Sequence, residues 1–412
     1  MKQLKAPFLF IALFLSVSCS KEDKPDGEYA DYLVARPITM TRAEFQNSVE
    51  VIGPKPVEES GKIYAYGNYV FINDKYKGVH VIDNSDPSSP KKIAFIKIAG
   101  NVDISVKGDY LYADSLTDLI VLDISDLNHI RIVKRLYNVL ADHVVWPAEA
   151  DIFEYGDIDY ENEVLLGWEL ATERRRVEET PLWRDDVLFA EVASDAGIGQ
   201  GGSLARFRIV GDYLYAVDSH TINIFNIGEL ENPQELPDLN AGFDIETVFS
   251  QGDYLFLGSM RGMYIYGITD PAHPEFISEF QHGTACDPVV VDGSHAFVTL
   301  RGGNACGATE SGLFVIDISN LTQPVLQASY PMDEPYGLGV RDNKLFVCDG
   351  QSGLKVFDKS EVEQLRPLNQ FTDLTAYDVI PLQQCLLVVG DGNLYQYSYL
   401  EDDLKWISTF SL

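Results

Sequence analysis

A short signature, Gly-Asp/Asn-Tyr followed by an apolar residue, returns along this chain at a fixed distance, and that distance limits what the chain can fold into. It stands at Gly67-Asn68-Tyr69-Val70, Gly108-Asp109-Tyr110-Leu111, Gly211-Asp212-Tyr213-Leu214 and Gly252-Asp253-Tyr254-Leu255. Gly67 to Gly108 is 41 residues, and Gly211 to Gly252 is 41 again. A further 41 reaches Gly293, in the degenerate copy Asp292-Gly293-Ser294-His295. Asp342-Asn343-Lys344-Leu345 follows 49 later, and 41 more arrives at Gln383-Gln384-Cys385-Leu386. Seven copies of one supersecondary unit are therefore expected.

Some 15 or 16 residues into each copy comes a second element: Val79-His80-Val81-Ile82-Asp83, Leu119-Ile120-Val121-Leu122-Asp123, Leu313-Phe314-Val315-Ile316-Asp317 and Leu354-Lys355-Val356-Phe357-Asp358. Weaker forms lie at 222–226, 263–267 and 394–398. These segments resemble the LVIVD repeat of bacterial surface propellers, over roughly residues 61–412. The resemblance implies a propeller fold and an envelope location.

The unit also reads without the family. Strand a precedes the glycine, Gly-Asp supplies a tight hairpin turn, and strand b follows. Strand c is the Leu-Ile-Val-Leu-Asp element, and an Asp/Pro-rich turn such as Asp86-Pro87-Ser88-Ser89-Pro90 leads to strand d. Strands apolar on both faces need neighbours on both sides, which a ring of blades provides. The expected fold is all-β, a seven-bladed β-propeller of four-stranded antiparallel blades spanning 61–412. Residues 31–60 form an N-terminal segment, in which 31–40 are expected to add an edge strand. No strand is evidently exchanged to lock the ring.

Both breaks in the period fall where loops of one end emerge. Gly108 to Gly211 exceeds the repeat by 62 residues, placing an insertion at about 137–202 between strand d of the second copy and strand a of the third. Eight extra residues in the fifth copy fall around 301–311, between strands b and c. In an up-and-down blade these two connections share a face. The insertion holds Trp146, Trp168 and Trp183 and the cluster Arg174-Arg175-Arg176, expected either as ligand contacts of a lid or as a packed cap. Cys286 and Cys306 come to one end of the fifth blade and are expected to form a disulfide. Cys348 and Cys385 are expected as buried free thiols.

The N-terminus reads as a processing signal. Lys2 and Lys5 precede an apolar stretch from Pro7 to Val17, and small residues then precede Cys19. This is similar to the lipobox of bacterial lipoproteins, with Ser16 in place of the usual leucine. Residues 1–18 are the expected signal peptide, Cys19 the lipidated residue, and 19–30 a flexible tether. Ser20-Lys21-Glu22-Asp23 resembles the signal that sends some lipoproteins to the outer-membrane surface. The membrane is thus one expected partner, through the lipid. Loss of Lys2 and Lys5 takes the basic count from 31 to 29 against 63 acids, a charge of −34. Such a surface repels phosphate backbones, which argues against nucleic acid.

Asp103, Glu246, Asp287 and Asp378 sit at similar offsets at the start of strand a, where they would ring a channel mouth. Lys62, Arg206 and Gly337 take this level in the other copies. A carboxylate ring suits a divalent cation such as calcium, while hydrogen bonding to neighbouring backbone is the plainer reading. Asp114, Asp218, Asp349 and Asp391 end strand b, where turn capping accounts for them. Asp218-Ser219-His220 cannot form a triad from adjacent positions. With no catalytic constellation, no cofactor is expected. The leading expectation is a non-enzymatic envelope binding module that presents one face to a protein or glycan. The alternatives are a sugar or lactone hydrolase with a channel metal, and a structural subunit of an outer-membrane complex.

Overall fold

Each repeat folds into an antiparallel meander. The computed structural model describes residues 29–412, apart from 59, 128, 141–146, 148–149, 157, 177–199, 282–287 and 302–310. The chain is mostly β, in eight sheets, seven of which contain a blade-like run of strands a to d. Sheet 1 comprises Ser60–Tyr66, Tyr69–Asp74, Gly78–Asp83 and Lys91–Lys97. Sheet 7 comprises Asp378–Pro381, Leu386–Gly390, Asn393–Tyr399 and Leu404–Ser411. The a strands of sheets 2 to 6 are Ile104–Lys107, Phe207–Val210, Ile245–Gln251, Val289–Asp292 and Leu338–Arg341. In sheet 3 the outer strand is split into Gln234–Glu235 and Leu239–Asn240, both paired with strand c.

The signature residues explain this geometry locally. Gly67 takes φ +56° at the first position of the two-residue turn joining Tyr66 to Tyr69, as a type II′ hairpin requires. The last Asp of the LVIVD element turns the chain toward strand d. Its carboxylate accepts the backbone N–H two residues on, from Ser85 to Asp83, Ser125 to Asp123, Ser319 to Asp317 and Ser360 to Asp358. Hydrogen bonds from Ser125 and Arg131 hold the Asp123 carboxyl down at about 2.

Strands apolar on both faces are buried on both faces. Among the described residues a separate apolar cluster fills the space between each pair of successive sheets. Another joins sheet 7 to sheet 1 through Leu387, Val389 and Leu394 against Ile63, Ile72 and Ile82. The a strands touch in sequence order, and that of sheet 7 touches that of sheet 1. Away from the starts of the a strands, the same seam is pinned by polar contacts. Asn84 and Gln396 exchange two amide hydrogen bonds (3.0 and 2.7 Å), and the Ser408 hydroxyl donates to the Pro87 carbonyl (2.6 Å).

The N-terminal segment departs from expectation. Residues 31–40 add no edge to a blade-like sheet. They belong to the strand Tyr29–Thr41, which pairs with Glu163–Arg176 of the insertion along its whole length, with Ile152–Phe153 on its other side. The edge strand is instead Glu50–Ile52, on strand d of sheet 1. Between them, helix Arg42–Gln46 is closed by a capping box of Thr41 and Glu44.

Candidate functional site

The candidate site is the end where d–a and b–c connections emerge, and aspartates at the ends of the b strands fix its loops. Asp114 accepts the backbone N–H groups of Val102 and Asp103 (both 2.8 Å) and the Asn101 amide (2.7 Å). Asp349 accepts from Asp333 and Glu334, and Asp391 from Thr375. Each of these three clamps the loop that enters strand a of its own sheet rather than capping its own turn. Asp218 does cap its own turn, accepting from His220 and Thr221.

Where the a strands begin, the structure brings cations to two of the four predicted carboxylates, Asp103 and Glu246. Lys62 Nζ lies 2.8 Å from Asp103 Oδ2, with side chains 5% and 3% exposed. The Asp103 oxygens also accept the N–H groups of Arg206 (2.9 Å) and Ile104 (2.7 Å). The Arg206 guanidinium is buried beside Asp114, Asp103, Asp218 and Glu246, and burial lowers its affinity for the proton against their pull. Glu246 and Asp378 are buried as well. Among the described residues no group of three or more His, Cys, Asp or Glu is placed to hold a metal ion. Asp287 lies outside the described residues.

Asp114 gives this cluster a pH dependence. Burial pushes its carboxyl up to about 7, against the backbone N–H groups that favour the anion. Between about pH 4 and pH 7 the native state therefore keeps a proton that the unfolded chain has released, so stability falls as pH rises. Asp114→Asn keeps an acceptor oxygen. It should remove on the order of 2 kcal/mol of the loss seen by urea unfolding between pH 5 and pH 8. An unchanged slope would refute the assignment.

The end of the insertion runs past the same strand-a ends. Gln200 and Gly201 pair with Ala65 and Tyr64 of sheet 1. At Gly202 the backbone lies so close to Asp378 that an added Cβ would overlap the carboxylate, and the same holds at Gly337. The Ser203 hydroxyl accepts the Leu338 N–H at 2.8 Å.

The three-stranded sheet of the N-terminal segment and insertion docks on sheets 1 and 2. Phe45 and Leu166 pack with Ala99 and Leu116, and Gly167 lies against the Tyr76 ring. The Arg135 guanidinium covers Phe45 (4.7 Å) and pairs with Asp118 (2.7 Å). The sheet also carries a closed ring of ion pairs. Arg36 meets Glu154 and Glu173 at 2.8 and 2.6 Å, and Arg175 meets both at 2.6 Å. Hydrogen bonds from Arg36 and Arg175 hold the Glu173 carboxyl down at about 2. Trp168 belongs to an aromatic group, edge-on to Phe153 (5.4 Å) and Tyr155 (5.6 Å), with Tyr155 50% exposed. Arg174 and Arg176 are exposed. Trp146, Trp183, Cys286, Cys306 and Cys19 lie outside the described residues. Cys348 and Cys385 are buried free thiols, as the sequence implies.

Two aromatic groups at this end escaped the sequence reading. Phe243 is 57% exposed, edge-on to His220, with the Arg261 guanidinium 5.8 Å from its ring. Tyr336 and Tyr377 meet edge-on at 5.1 Å, and Arg301 stands 4.2 Å over Tyr336. Tyr336 and Tyr377 immediately precede the channel-level residues Gly337 and Asp378, the one signal that points to them.

With this geometry in view, comparison with known proteins adds the following. The LVIVD repeat model matches residues 59–94, 99–137 and 283–331. No curated protein matches the sequence. A solved protein from Lactobacillus plantarum superposes with TM-score 0.53 at 11% identity, over 85% of this chain and 96% of that one. BamB from Moraxella catarrhalis gives 0.49 at 8%, over 89% and 99%. Hsv2 from Kluyvelomyces marxianus gives 0.49 at 10%, over 85% and 99%. LVIVD repeats are thus present, on a mostly β chain of blade-like sheets whose architecture recurs in a solved structure with little shared sequence.

Proposed function

We propose that this chain is a closed seven-bladed propeller, lipidated at Cys19 and held at the outer membrane, whose loop-bearing end binds a protein partner without catalysis. The ring reading is supported by the run of a-strand contacts from sheet 1 to sheet 7 and back, and by the apolar seam between those two sheets. The binding reading rests on one observation. Three aromatic groups, each with an exposed ring and two of them with an arginine over a ring, stand on loops of the same end. Aromatic and arginine side chains are the residues that most often dominate protein interfaces. The acidic surface, at −34 after processing, supports a protein rather than an anionic lipid or nucleic-acid partner.

Site-specific photo-crosslinking from positions 155, 243 and 377 in intact cells tests this reading. A shared crosslinked protein is expected from all three. Tyr155→Ala, Phe243→Ala and Tyr377→Ala should each weaken its binding by about tenfold. Trp406→Ala, in the outer strand of sheet 7 at 59% exposure, should leave binding within about twofold. Equal loss in the Trp406 variant, or no loss in the other three, would remove the loop-bearing end from consideration. Acylation is read separately, as a mass increase that Cys19→Ser abolishes.

A further inference from the structure

We propose that residues 200–206 are a latch, a strap drawn across the channel mouth that ties sheets 1, 7, 6 and 2 together, no blade strand being exchanged between sheets among the described residues. Its contacts run in sequence. Gln200 and Gly201 add to strand a of sheet 1, on Ala65 and Tyr64. Gly202 lies on the Asp378 carboxylate of sheet 7 with no room for a side chain. Ser203, 3% exposed, accepts the Leu338 N–H of sheet 6. Arg206 then gives its N–H to Asp103, just before strand a of sheet 2, and the chain enters sheet 3. Residues 200–203, where the insertion ends, thus meet sheets 1, 7 and 6, and Arg206 at the head of sheet 3 adds sheet 2.

The latch bears directly on the exposed tyrosine pair. Tyr336 stands two residues before Leu338 and Tyr377 one before Asp378, and Leu338 and Asp378 are the residues the strap touches. Gly337 in turn donates its N–H to the Tyr377 carbonyl (2.9 Å). The backbone beneath both rings is therefore set by a segment that is not part of the repeat.

Two buried thiols make the latch measurable. Cys348 ends strand b of sheet 6, donates its N–H to the Gly337 carbonyl at 2.9 Å, and is fully buried at the gripped end. Cys385 lies in the seam between sheets 7 and 1, beside the Asn84–Gln396 amide pair that pins that seam independently of the strap. Native-state alkylation, followed by peptide mass spectrometry on the whole mature chain, reads both sites at once. Gly202→Ala and Ser203→Ala should each speed labelling of Cys348 by on the order of tenfold, as loss of one buried contact or hydrogen bond implies, with Cys385 unchanged. If both thiols speed up together the substitution has only lowered global stability, and if neither changes the strap carries no load. Either result overturns the latch. Should Gly202→Ala fail to fold, Ser203→Ala decides, because it removes one hydroxyl and adds no atom.

Discussion

Replacing Lys62 with methionine should lower the unfolding free energy by about 3–5 kcal/mol, the range for stranding one member of a buried ion pair. Asp103 would lose its partner at 2.8 Å while remaining 3% exposed, with only backbone N–H groups and the nearby Arg206 in its place. The double variant Lys62→Met with Asp103→Leu should recover much of that loss, since neither desolvated charge then remains. Urea unfolding of the two variants and the parent at pH 7 measures both quantities. If Lys62→Met alone costs less than about 1 kcal/mol, the pair is not desolvated as described. The expected result also bears on the predicted carboxylate ring, two members of which, Asp103 and Glu246, already have a buried cation beside them.

Gly262→Ala should be comparably severe, at about 3 kcal/mol or more. Gly262 opens strand c of sheet 4 at φ +148°, and a Cβ there would run into the carbonyl of Phe280 on strand d. Gly78 and Gly353 repeat the situation in sheets 1 and 6, against the carbonyls of Ile96 and Phe371. The control lies in the same strand. Gly267 has no positive φ, and its nearest neighbour would be ordinary contact with the tip of Ile277, so Gly267→Ala should change stability by less than about 1 kcal/mol. Thermal unfolding of the two variants side by side is sufficient. Equal midpoints would mean that the backbone of strand c relaxes freely, contrary to the packing described.

What the sequence revealed was local. The Gly-Asp-Tyr turn and the apolar run of strand c each announce their own geometry, and their spacing fixes how often the unit recurs. The glycine five residues before the end of the LVIVD element was equally visible at 78, 262 and 353. Its meaning depends on strand d passing close beside it, which no local pattern reports. Asp114 and Asp349 look like turn residues, yet what they bind is the loop 11–16 residues earlier. Lys62 and Arg206 stood out as the wrong charge among carboxylates. That they lie beside Asp103 and Glu246 is a fact about neighbouring sheets. The pairing of Tyr29–Thr41 with Glu163–Arg176 was hidden for the same reason, because each strand supplies only half of the pattern that identifies the sheet.

That last pairing sets an order on the folding of the chain. Tyr29 finds its partner at Arg176, and the inner edge of strand a in sheet 1 waits for Gln200. Sheets 1 and 2 lie between and are built from contacts close in sequence, so they can form while the first strand still has no mate. The loop that must then close is long, and closing it is the slow kind of step. A chain delivered from its N-terminus would therefore complete two blade-like sheets before its first strand is secured, and would secure it with residues that arrive just ahead of the third.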